Sequence, residues 1–172
     1  MLPYVAGSPT RYPRRLHNHC QAQIEVLCMW IVWLPAGVIL AVIFILVART
    51  LNEPKVFAIV LIVAALIYVG FAVFGGAPGA RVALEILGVI LYGTAAVLGL
   101  RVTPWWLAIG WGAHPVWDAG VQLFGGGHAF VPGWYAISCI SFDAVLALYI
   151  AYQCSRPGPD NSFKPTSLRH RA

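Results

Sequence analysis

The chain has little charge. Only 10% of its 172 residues are Asp, Glu, Lys or Arg, and just six are acidic. A soluble domain carries about 25% charged residues, so this composition excludes an ordinary water-soluble fold. Lysine is nearly absent as well: the basic residues are two Lys and nine Arg, scattered between apolar runs and concentrated in the two polar ends. That distribution excludes a basic nucleic-acid-binding face and reads instead as topology signals and contacts to lipid headgroups. The bias toward Arg, Ala, Gly and Val is also that of a GC-rich bacterial source. The four cysteines, Cys20, Cys28, Cys139 and Cys154, form no CxxC, which argues against a zinc knuckle or a disulfide framework; they read as small buried hydrophobes. No HExxH, Walker loop, GxSxG or dinucleotide-binding fingerprint occurs.

What is abundant is apolar surface: 60% hydrophobic residues and a mean hydropathy of +0.77. About 20 apolar residues cross a hydrocarbon core of about 30 Å, so most of the chain must be membrane spans joined by short connections. The spacing predicts an all-α, polytopic membrane helix bundle of about five transmembrane helices, near Val26–Val47, Val56–Phe74, Val82–Leu100, Pro104–Phe124 and Trp134–Tyr152. Four spans plus a re-entrant segment is the alternative. The bundle occupies residues 23–153, between a polar, basic N-terminal tail (1–22) and a polar, disordered C-terminal tail (154–172). The apolar run after the basic start is too long for a cleavable signal core and reads as a retained span.

Pro35 predicts a kink in the first span, with Trp30 and Trp33 as interfacial anchors. The second span carries no visible chemistry and reads as an outer or subunit-contacting helix. "GGAPGAR" marks a turn before the third, and "RVTPWW" a helix start, with Thr103 capping and Pro104 at the first helical position. Counting Lys and Arg puts seven on the side of the first loop, third loop and C-terminal tail and four on the other, which orients the C-terminus to the cytoplasm of a bacterial cell membrane.

The residues that do not fit a lipid-facing helix define the candidate site. In "GWGAHPVWDAG", His114 and Asp118 lie four apart on one helix face, with Gln122 continuing the stripe; Pro115 and the neighbouring glycines predict a kink or a break. An acid at this depth opposes insertion by roughly 2.5–3.5 kcal/mol unless a partner, water or a function compensates. With a rise of about 1.5 Å per residue, Asp118 and His114 lie about 9 and 15 Å below Phe124, and Asp143 about 14 Å below Trp134 on the same side. Glu85 enters from that side too, and His128 sits in the Gly-rich loop above.

His114, Asp118, His128 and Asp143 are the ligand types of a hard or borderline divalent metal, zinc included, with Asp118 and Glu85 as candidate catalytic carboxylates. Each residue also has a structural reading. Glu85 pairs with Arg81 one turn away; His128 is a loop histidine. Asp118 accepts from an indole N–H or pairs with His114, and Asp143 is held by Cys139, Ser138 and Ser141.

The segment 104–152, with a histidine, Trp-Asp, a later histidine, Pro-x-Trp-Tyr, a cysteine and an aspartate, resembles a group of small, uncharacterised bacterial multi-pass membrane proteins. The resemblance implies a helical bundle and no particular activity. Two functions are open from sequence. One is a membrane-embedded, metal-dependent enzyme acting on a lipid or other amphiphile that enters sideways from the bilayer. The other is a non-enzymatic protein, a proton- or ion-coupled carrier or an accessory subunit. Membrane lipids are partners in both, and so is a second copy of the chain where one bundle does not enclose a cavity.

Overall fold

The computed structural model describes residues 12–51, 54–124, 129–156 and 163, with backbone alone for 12–23, 25, 26 and 121–124. The predicted tail residues 1–11, the loop residue His128 and most of the C-terminal tail lie outside this set. The described residues form five helices and no strand: α1 (Tyr12–Leu51), α2 (Pro54–Phe74), α3 (Gly79–Arg101), α4 (Trp105–Phe124) and α5 (Gly133–Ser155). The helix of the first span begins at Tyr12, well before the apolar run, and continues through Pro35.

Four helices are long and apolar enough to cross a membrane: Leu27–Leu51 of α1, and α2, α3 and α5. The helix α4 is as long as a hydrocarbon core is thick, about 30 Å for its 20 residues, but its Trp, Gly, His, Pro and Asp lower its hydropathy. It is not broken at the predicted position. It is one continuous helix through Pro115, lying antiparallel along the length of α3 from Gly99 beside Leu107 to Gly88 beside Trp117.

Around the bundle the helices follow the order α1, α5, α4, α3, α2, with α2 also reaching α4. The second span stands at the end of this order and buries one face: Leu61, Ala65 and Tyr68 are buried, and Leu61 fills the space beside Gly110 of α4. Local chemistry sets the ends. After Phe74, Gly76 takes φ 69°, while the Ala77 amide donates to Ala72 O at 2.9 Å and the Gly76 amide to Val73 O at 3.2 Å. These paired bonds satisfy helix-end carbonyls and require the left-handed residue that glycine supplies. At the start of α4 the Thr103 carbonyl accepts from the Trp106 amide at 3.1 Å.

The helices α1 and α5 approach closely at Gly37. A Cβ at Gly37 would run into Ser138 O and Ser141 Oγ, so only glycine lets the two backbones approach. Ser141 Oγ donates to Leu34 O at 2.9 Å, one residue before Pro35. Aromatic layers close both ends. Phe44, Phe57, Tyr149 and Phe163 pack at one, and Tyr68, Phe71, Phe130 and Tyr135 at the other. Phe163 is buried against Phe57, so at that residue the C-terminal segment returns to the bundle.

Candidate functional site

The helices α4 and α5 meet along their length, and this packing brings His114 and Asp118 of one face of α4 against Asp143 of α5. The Nδ1 of His114 donates to Asp143 Oδ2 at 3.0 Å and lies 3.3 Å from Asp118 Oδ1. With a carboxylate on either side of it, Nδ1 carries a proton or a cation, because two acceptors cannot satisfy a third. One ligand atom from each residue falls within 4.8 Å of the others, and all three residues are 0–1% exposed. The contact to Asp118 is outside hydrogen-bond geometry, and neither Asp118 oxygen has a donor among the described residues.

Two further buried polar atoms, the Tyr68 hydroxyl and the Trp111 indole N–H, lack a hydrogen-bond partner among the described residues. Tyr68 stands edge-on to the His114 ring at 5.8 Å between centroids, and Tyr92 of α3 packs on the imidazole's other neighbour space at 4.7 Å. Sequence reasoning missed Tyr68. It is the single hydroxyl-bearing residue in the otherwise apolar α2, a lone polar signal easily taken for a packing aromatic.

Glu85 is buried but stands apart from the cluster. Its Oε2 accepts from Trp117 Nε1 at 3.1 Å, and its Oε1 is 4.0 Å from Arg81. The pairing with Arg81 is the structural alternative given for it above, while the indole bond considered for Asp118 belongs to Glu85. Trp117 stands edge-on to Tyr92 at 6.2 Å, so an aromatic pair separates Glu85 from His114. The predicted support of Asp143 by serines is also corrected. Ser138 donates to Trp134 O and Ser141 to Leu34 O and Ser138 O, so their hydroxyls serve backbone and His114 is the partner of Asp143. His128 lies outside the described residues, as does the side chain of Gln122.

Four long apolar helices around a buried His–Asp–Asp cluster define a multi-pass α-helical membrane protein. The model of DUF6010, a family of unknown function, matches residues 32–156, and the chain belongs to that family. The match takes in most of the first span and all of α2 and α3, so the likeness extends well before residue 104, and Glu85 and Tyr68 fall within it. No curated protein and no solved structure matches the chain.

Proposed function

We propose that this protein holds a divalent cation of the zinc type within the membrane, at His114, Asp118 and Asp143, and uses it in a reaction on a lipid or other amphiphile. The observation that carries the reading is the placement of His114 Nδ1 at 3.0 and 3.3 Å from two buried carboxylates. Ligand atoms bound tetrahedrally to zinc at about 2.0–2.1 Å lie about 3.3–3.4 Å apart, so the two His114–carboxylate separations already suit a cation, while the three ligand atoms, spread over as much as 4.8 Å, would have to draw together around it. Two carboxylates and a neutral imidazole balance its charge. Three protein ligands leave a position for water, whose acidification is the chemistry such an ion supplies. The Tyr68 hydroxyl, which lies near the Asp118 carboxylate, would donate to that water or complete the ligand set.

The enclosure of the cluster favours a second reading, a proton- or ion-coupled carrier or accessory subunit. The three residues are nearly without exposure, and an imidazole between two acids is a plain proton relay. Metal analysis of the detergent-purified protein separates the two. The first reading expects close to one zinc or similar ion per chain, lost in His114→Ala and Asp118→Asn. A folded protein without bound metal, and with unchanged affinity for added zinc in those variants, leaves the relay. In either reading the location is a bacterial cytoplasmic membrane, with lipids as surroundings and a second copy of the chain as partner.

A further inference from the structure

The helices α3 and α4 do not close on each other throughout. Between them runs a groove of about 840 Å³, walled by Leu84, Leu91, Trp106, Ile109 and Val116, with Arg81 as its one charged lining residue. Along α4 it extends from Trp106 to Gly120, about 21 Å at the helical rise and so longer than one leaflet's half of the hydrocarbon core. Small residues create it: Ala95, Gly110, Ala113 and Gly120 line it, and a Cβ at Gly120 would meet no atom within 4 Å. Its rim opens sideways, since Leu91, Ile109 and Val116 are 52%, 54% and 72% exposed.

Two features set this groove apart from the ordinary lipid-facing surface of α1. Its floor is formed by Tyr92 and Trp117, the side chains that touch His114 and Glu85. One end is Arg81, in the first turn of α3, whose guanidinium lies over the Phe130 ring and 4.0 Å from Glu85 Oε1, with 11% of the side chain exposed, so that a phosphate there would share the guanidinium with Glu85. A planar guanidinium at that level is suited to a phosphate oxygen pair, and an apolar channel below it is suited to a hydrocarbon chain.

We infer that the α3–α4 groove binds one acyl chain of a phosphate-bearing membrane lipid, with the phosphate at Arg81 and the chain lying over Tyr92 and Trp117. The binding stands on the groove alone; that such lipids are the substrate class rests on the reading of the His–Asp–Asp cluster given above.

The test uses the full chain in lipid nanodiscs with a phosphatidic acid carrying a photoactivatable diazirine on one acyl chain, and peptide mapping of the cross-links. Labelling is expected to be several-fold higher at Leu91 and Ile109 than at Ile39 and Leu46 of α1, which are equally exposed. Gly120→Leu, which fills open space, should remove that excess while leaving α1 labelling and thermal stability unchanged. Even labelling of α1 and the groove, or an excess that survives Gly120→Leu and Ala113→Phe, overturns the site. A diacylglycerol probe with the same chain that labels the groove as strongly overturns the role of Arg81. Zinc content measured on the same samples reports on the cluster independently, so a metal-free protein that labels the groove rejects the enzyme reading and keeps the lipid site.

Discussion

Asp118 and Asp143 approach one imidazole nitrogen from two helices, and this shared contact makes their contributions interdependent. Asp118→Asn and Asp143→Asn are each expected to destabilise the detergent-solubilised protein, with a coupling on the order of 1–3 kcal/mol in a double-mutant cycle. Thermal unfolding of the two single variants and the double variant measures it; additive losses would mean two unrelated structural acids. Tyr68 offers a test that separates two roles. The Tyr68 hydroxyl lies close enough to Asp118 to interact with it but forms no well-aligned hydrogen bond, so Tyr68→Phe is expected to change the stability of the metal-free protein by less than about 1 kcal/mol. If the hydroxyl completes or orients the cation's shell, the same change lowers zinc affinity about 10–100-fold. Unchanged affinity in a zinc titration would confine Tyr68 to packing.

At the scale of the helix, Gly37 and Pro115 are the informative positions, and they make opposite demands. Gly37→Val forces a side chain into Ser138 O and Ser141 Oγ, which belong to backbone and to a hydroxyl already committed to Leu34, so neither gives way cheaply. A loss of about 1–3 kcal/mol, the usual range for overpacking, is expected in thermal unfolding, and near-neutrality would show that α1 can slide on α5. Pro115 sits inside an unbroken helix, where its missing N–H leaves the Trp111 carbonyl without its i+4 donor. Pro115→Ala is therefore expected to be no less stable than the wild type and to leave zinc affinity unchanged, because the His114–Asp118 face does not depend on a break. Sequence made the helices legible because each apolar run is bounded by Gly, Pro or charge, and the i, i+4 spacing of His114 and Asp118 survives any helix packing. The partner of Glu85 was not legible. Which of several tryptophans donates to which acid depends on the rotation of α4 against α3, and periodicity does not encode rotation. Tyr68 was hidden for the same reason: a single hydroxyl in an apolar helix has no register of its own.

For the whole molecule the helix order fixes which loops share a face, and charge then fixes which face is inside. The α2–α3 turn and the α4–α5 connection lie at the same end, because Phe130 packs against the backbone at Gly75 and beneath the Arg81 guanidinium. The opening of α5 joins them there, since Trp134 packs at a tilt against Trp33 of α1, 5.2 Å between ring centroids. The α3–α4 turn, with Arg101, is then at the opposite end, together with Arg49, Lys55 and Arg156 at the termini of α1, α2 and α5. Basic residues near span ends are retained in the cytoplasm, so the Arg101 end is expected to face inward and the Gly-rich end, with the Arg81 end of the proposed lipid groove, to face outward. In a background with the four native cysteines replaced, His128→Cys is expected to react with a membrane-impermeant maleimide added to intact cells. Arg101→Cys is expected to react only after the membrane is opened. Reaction of both from one side would mean that α4 does not cross, and Asp118 and Asp143 would then have to reach the same depth by a different packing of α4 on α5. The reverse pattern, with Arg101→Cys alone accessible, would keep the helix packing and turn the lipid groove's charged end to the cytoplasmic leaflet.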